Sequence, residues 1–129
     1  MKHILLLMGL CVTFSASAMD QNLYNTLGQI VYVEHDMGRD WVIADDIHCY
    51  SEKNEMQCRY KEGTKQRSVE GELAQQLVTA LQPFLSLDAA EKDNVQQATV
   101  KMAKCLKQQT KNNFGEPVGD YQYQCFIEK

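Results

Sequence analysis

The sequence predicts an α+β protein: an antiparallel sheet of four to five strands with two or three helices on one face. Three observations predict this class. Several runs alternate apolar and polar residues, as strands do; one segment carries a strong helical stripe; and four cysteines follow the N-terminal segment at positions that would fasten two hairpins. The expected order of elements is helix, hairpin, strand, helix, hairpin.

Residues 1–18 have the pattern of a secretory signal peptide. A charged start is followed by an apolar run from Ile4 to Phe14 and by the small residues Ala16-Ser17-Ala18. The run is too short to span a bilayer, and Leu10 before Cys11 disfavours lipidation at that cysteine. Cleavage after Ala18 leaves one small exported domain, residues 19–129. We expect it to be periplasmic or secreted.

Charge and hydropathy exclude several classes of protein. Removing Lys2 with the signal leaves 12 basic and 17 acidic residues, a net charge of −5. A nucleic-acid-binding domain usually carries the opposite balance, and no mature segment approaches the roughly 20 apolar residues of a membrane-spanning helix. The negative charge is one-sided, since residues 19–62 hold nine acids and four bases.

The even number of cysteines in the mature chain predicts two disulfides in an oxidising compartment. A polar turn, residues 52–55, separates the first two cysteines, and a turn-rich loop, residues 112–117, separates the last two. Of the three connectivities, this favours the local one, which straps two hairpins. The spacings do not fit a zinc site. The predicted bridges are Cys49–Cys58 and Cys105–Cys125.

The first half of the chain reads as a helix followed by strands. Residues 20–31 have helical spacing of apolar residues, although Ile30–Val33 fits a strand equally well. Residues 37–41 are expected to form a loop. A strand should then run from Trp41 to Tyr50, returning over 55–61, with a third strand over 65–69. The residues expected on one face of the first strand are Trp41, Ile43, Ile47 and Cys49.

The second half opens with the clearest helix. Its apolar stripe is Leu73, Leu77, Val78, Leu81 and Phe84. Ser68, Glu70 and Glu72 are expected to mark its start, and Pro83 should end it. Residues 95–108 fit helix and strand equally; we predict a short helix from Asp88 and a strand over 99–108. Alternating Tyr121, Tyr123, Cys125 and Ile127 predict the final strand.

The two halves also resemble each other in order, which indicates an internal αββ duplication. Residues 23–27 align with 77–81, residues 47–50 with 103–106, and residues 56–59 with 123–126. Each half contains an apolar segment, a first cysteine and a second cysteine preceded by glutamine.

We predict no catalytic residues, no cofactor and no metal site. Phosphate-binding glycine loops and the nucleophile elbow are absent. His35–Asp36 is the best acid–base candidate, but neighbours on a strand point to opposite faces. His48 is expected to face solvent from a strand. The calcium-binding spacing of alternate acids is also missing.

The predicted binding residues are an acidic loop and its tryptophan: Asp36, Asp40, Trp41, Asp45 and Asp46. One-sided negative charge steers a basic partner, and tryptophan is frequent in binding hot spots. Two further groups are weaker candidates for binding. The tyrosines beside the cysteines could contribute to recognition or be ordinary strand residues, and a row of lysines could bind an acidic surface or be a solvated face. They are Tyr50, Tyr60, Tyr121, Tyr123, Lys101, Lys104, Lys107 and Lys111.

The function expected from these features is binding or inhibition of another exported protein with a basic surface. Rigid strapped hairpins lower the entropic cost of association. A structural or envelope-stress role is the alternative. A small hydrolase-like enzyme using His35 or the acidic loop has less support from the residues.

Overall fold

The structure, a computed structural model, describes residues 16–85 and 97–129. Residues 1–15 of the predicted signal peptide, including Cys11, and the helix predicted from Asp88 therefore lie outside the described residues. The predicted cleavage point after Ala18 falls in the first turn of the first helix.

The described residues form two α-helices, one short 3-10 helix and six strands. In chain order they are α1 (Ala16–Leu27), β1 (Glu34–Asp36), β2 (Arg39–Glu52), β3 (Glu55–Glu62), β4 (Lys65–Glu70), α2 (Glu72–Leu81), the 3-10 helix (Gln82–Phe84), β5 (Gln97–Lys111) and β6 (Pro117–Glu128). The α+β class is confirmed.

All strand pairs in this part of the chain are antiparallel, in the order β4-β3-β2-β5-β6, with β1 paired to β2 beyond the end of β3. The expected four to five strands become six because the chain before the second strand folds back on it: Glu34–Asp36 pairs with Arg39–Trp41. The predicted loop over 37–41 shrinks to the two-residue turn Met37–Gly38.

Both helices pack on one face of the sheet. Helix α1 lies against β5 and β6, and α2 lies against β3 and β4 and beside α1. The largest fully buried side chains between these layers include Leu23, Leu27, Ile47, Leu77 and Leu81. The apolar area that they remove from water is the main stabilising contribution to this fold.

The helix ends differ from the predicted ones. Helix α1 stops at Leu27, and the chain turns because Ile30 and Val31 donate backbone hydrogen bonds to Leu27 O. Ile30–Val33 is therefore neither helix nor strand. Ser68 and Glu70 belong to β4, so α2 begins at Glu72. Helix α2 ends at Leu81, near the predicted Pro83, but Gln82 before the proline keeps a helical backbone and the chain continues as the 3-10 helix, becoming extended only at Leu85.

A bulge at Asp46 corrects the predicted face of β2. The pairing of β2 with β3 shifts between Asp45 and His48, and Asp46 has a left-handed φ of 49°. Val42 and Ala44 face the helices before the bulge, and Ile47 and Cys49 face them after it. An extra residue reverses the alternation of a strand. For this reason Trp41 and Ile43 lie on the opposite face from Ile47 and Cys49.

Both disulfides join directly paired residues of adjacent strands, which confirms the predicted local connectivity. Cys49–Cys58 links β2 to β3, and Cys105–Cys125 links β5 to β6. The αββ duplication is not confirmed.

None of the helices in the described ranges is both long enough and apolar enough to cross a membrane.

Candidate functional site

The face of the sheet opposite the two described helices, here called the open face, presents Trp41 near one end. Trp41 is half-buried, and its cross-strand partner Leu106 is nearly covered, with 6 % of its surface exposed. Lys104 Nζ lies 4.4 Å from the centre of the indole ring, and Arg39 Cζ lies 5.8 Å from it. Two cations thus contact one aromatic ring, an arrangement that attracts through the ring's quadrupole.

A shallow groove of about 410 Å³ surrounds this ring. Strand β1 forms one side of it, because the pairing of Glu34 with Trp41 and of Asp36 with Arg39 places those acids on the same face as the ring. The groove therefore combines an aromatic floor with cations and carboxylates on its sides. The residues that line it are Glu34, His35, Asp36, Arg39, Trp41, Ile43 and Lys104.

The predicted acidic loop is made of strand residues, and its members separate. Asp36 lines the groove beside Trp41, and Asp45 lies on the same face two residues beyond Ile43. Asp46 occupies the bulge, where its carboxylate lies 3.5 Å from Lys61 Nζ. Asp40 faces the opposite side. The binding role of these residues stays a prediction, but they do not form one cluster.

His35 pairs with Asp40 rather than with Asp36, its neighbour in sequence. Antiparallel pairing of β1 with β2 puts the two side chains together, and His35 Nδ1 lies 2.6 Å from Asp40 Oδ1. The strand register places Lys107 of β5 next to Asp40, and Tyr123 of β6 next to Lys107, so that these side chains form a row across the sheet. Sequence reasoning separated His35 from Asp36 correctly but could not find Asp40, because that contact depends on the strand pairing.

Tyr24 of α1 covers this row. Its ring meets that of Tyr123 edge-on, with 5.4 Å between centres. Burial raises the pKa of the Tyr24 hydroxyl. The negative charge of Asp40 raises this pKa further, and electrostatic interaction with Tyr123 adds a smaller rise. A raised pKa keeps the phenol neutral, and the Tyr24 ring contributes packing against Tyr123. Within residues 16–85 and 97–129, no three metal-binding side chains lie together.

Two hairpin turns meet at the same end of the sheet as Trp41. One is Met37–Gly38, between β1 and β2; the other is residues 112–116, between β5 and β6. They carry the two most exposed large apolar side chains of the described residues, Met37 at 85 % and Phe114 at 86 %. Sequence reasoning missed both. The available signal was an aromatic residue in an otherwise polar turn, Asn113-Phe114-Gly115.

The other end of the open face carries a polar and aromatic cluster. His48 Nδ1 lies 3.0 Å from Thr99 Oγ1, and the His48 and Tyr50 rings are 5.4 Å apart. Arg59 lies over the Tyr50 ring at 5.4 Å. His48 is half-buried against these neighbours rather than simply facing solvent. The contacts of His48 with Thr99 and Tyr50 both lie within the sheet.

The chain matches no protein-family model, no curated protein and no solved structure.

Proposed function

We propose that this protein is an exported, non-catalytic module that binds or inhibits another exported protein. The observation that carries the proposal is the placement of Trp41. Its half-buried ring lies on the sheet face that neither described helix covers, flanked by Lys104 and Arg39. A tryptophan and an arginine on a rigid, accessible surface are the residue types that dominate binding energy in protein interfaces.

The rigidity of the site supports this proposal. Trp41 and Lys104 belong to the central strands β2 and β5, which are each paired on both sides over most of their length. The two disulfides tie these strands to β3 and β6. A surface that is already ordered loses little conformational entropy when a partner binds.

The charges around the groove support a partner with a basic surface. Glu34 and Asp36 are exposed on the side of the groove, whereas Arg39 and Lys104 are half-buried against the ring. An approaching protein therefore meets the carboxylates first. Such acids mainly speed association, and their effect decreases as salt screens them.

The proposal is tested by capture from an envelope extract with the oxidised mature protein as bait. We expect the wild type to retain a specific protein and Lys104→Glu to lose it, because the variant removes the cation that lies over the Trp41 ring and helps to fix the ring's position. The matched control is Lys65→Glu, the same charge change on edge strand β4. Equal capture by all three baits would reject the groove as the binding surface.

Export is tested separately by mass spectrometry of the protein recovered from outside the cytoplasm. We expect Met19 as its first residue, after cleavage behind Ala18. A product that retains residues 1–18, or a lipid mass on Cys11, would contradict this part of the proposal.

A further inference from the structure

We propose that Met37 and Phe114, here called the tip pair, insert into a concave apolar cleft of the partner protein. This inference rests on the proposed function, since it states how the partner is held. It is carried by three observations: the exposure and rigid presentation of Phe114, the unusual backbone of Met37, and the convergence of the two turns.

Phe114 lies in a turn that is fixed by hydrogen bonds, and its side chain is exposed to solvent. Asn112 Oδ1 accepts backbone hydrogen bonds from Phe114 N at 2.9 Å and from Glu116 N at 3.0 Å. Asn112 N donates to Glu116 O at 2.9 Å, and Gly115 N donates to Asn112 O at 3.0 Å. Gly115 supplies the positive φ that this turn requires. The turn is therefore fixed by groups other than the phenyl ring, which remains exposed.

Met37 occupies a position where the fold does not favour methionine. With φ values of 52° and 79°, Met37 and Gly38 form the two-residue turn that prefers asparagine, aspartate or glycine at both places. A left-handed backbone is strained for a side chain such as methionine. Because the side chain is also exposed, it contributes little to packing, and a role outside the folded chain accounts for its presence.

The two turns are neighbours in space. A Cβ atom on Gly38 would lie 3.3 Å from Lys111 Nζ, and Phe114 follows Lys111 by three residues. Arg39 pairs with Gln108, so both hairpins end at the same side of the sheet. Asp36 and Arg39 flank Met37 and line the groove around Trp41. The tip pair and the groove thus form one continuous surface.

The charges near the tips favour a protein cleft over a membrane. The strand ends around them, residues 34–40 and 107–121, contain five acids and three bases. Anionic lipid headgroups would be repelled by this excess of acids, whereas a cleft with a basic rim would be attracted. A convex pair of apolar side chains is also desolvated best by a concave receptor.

The test places a photo-crosslinking amino acid at position 37 or position 114 of the full chain in cells. The control position is Tyr32, which is 77 % exposed and lies before β1, away from the turn. We expect both tip positions to crosslink to one protein, at residues that line a single cleft of it. Crosslinking no stronger than at position 32, or crosslinks from the two positions to different proteins, would overturn the inference.

With the purified partner, Phe114→Ser and Met37→Asn should each raise Kd by tenfold or more, mainly through faster dissociation. Tyr32→Ser should leave Kd unchanged, and all three variants should melt within a few degrees of the wild type. Cosedimentation of wild-type protein with phosphatidylcholine–phosphatidylglycerol vesicles, lost in Phe114→Ser, would instead identify a membrane tip and overturn the cleft.

The two proposals fail in different ways. If Lys104→Glu abolishes capture while Phe114→Ser and Met37→Asn bind normally, the binding function stands and the insertion of the tip pair is wrong. If the wild type binds neither a protein nor vesicles, both proposals are wrong.

Discussion

Asp20 of α1 holds the backbone of Cys125, 105 residues later in the chain. Its Oδ2 atom accepts a hydrogen bond from Cys125 N at 3.2 Å. This bond joins the first helix to the last strand at the residue that also carries the disulfide to Cys105. The edge of β6 is therefore covered at this point, which removes an unpaired backbone donor from it.

The Asp20 contact predicts a pH dependence of stability. Burial raises the pKa of Asp20 above its usual 3.8, partly offset by the hydrogen bond from Cys125. The protonated form is thus favoured in the folded state, so this contribution to stability is present at low pH and lost as pH rises through the raised pKa. Asp20→Asn keeps an acceptor without the charge. Urea unfolding between pH 3.5 and 7 should show a flatter pH profile for Asp20→Asn than for the wild type.

Asp20→Ala serves as the companion variant, because it removes the acceptor as well as the charge. We expect it to lower the free energy of unfolding by about 1–2 kcal/mol at pH 7. Parallel pH profiles for wild type and Asp20→Asn would show that Asp20 is not desolvated in solution.

The two disulfides should differ in their contribution to stability. They close segments of 9 and 20 residues. In the loop-entropy model these correspond to roughly 2.6 and 3.3 kcal/mol. We expect replacement of Cys105 and Cys125 by alanine to cost more than replacement of Cys49 and Cys58. Denaturant unfolding without reductant measures both. With reductant, the three proteins should converge; a difference that persists would point to packing rather than to the crosslinks.

Trp41→Ala should reduce stability only moderately. The ring is half-buried and covers Leu106, so we expect a loss of about 1–2 kcal/mol, less than the 3–5 kcal/mol typical of a core tryptophan. Thermal melting followed by circular dichroism measures it. A loss near the core value would mean that Trp41 belongs to the packing of the sheet and is unavailable to a partner.

The bulge at Asp46 predicts that position 46 accepts glycine but resists valine, and that position 45 accepts valine more readily than position 46 does. Asp46 has a φ of 49° and an exposed ion pair with Lys61. Glycine adopts this φ freely, so Asp46→Gly should lie within about 0.5 kcal/mol of the wild type. Asp46→Val should cost about 1–2 kcal/mol, because a β-branched side chain resists the left-handed region. Asp45→Val is the control, with the same charge change outside the bulge. Equal losses for the two valine variants in urea unfolding would argue against the bulge.

Features that depend on nearby residues could be predicted from the sequence. The stripe from Leu73 to Leu81 identifies α2, and the alternation from Tyr121 to Ile127 identifies β6, because each pattern follows the period of its own element. The short polar turn after Cys49 indicated its bridge to Cys58. The ambiguity around Cys105 is resolved as strand because β2 and β6 pair with that segment on both sides.

The candidate site depends on features that only the tertiary structure decides. The left-handed φ of Asp46 moves Trp41 to the open face, and no periodicity in the sequence reports a backbone angle. His35 meets Asp40, and Met37 comes beside the turn of Phe114, through strand register. Register is set by the pairing of distant strands, so residues far apart in sequence share a surface only once the whole sheet has formed.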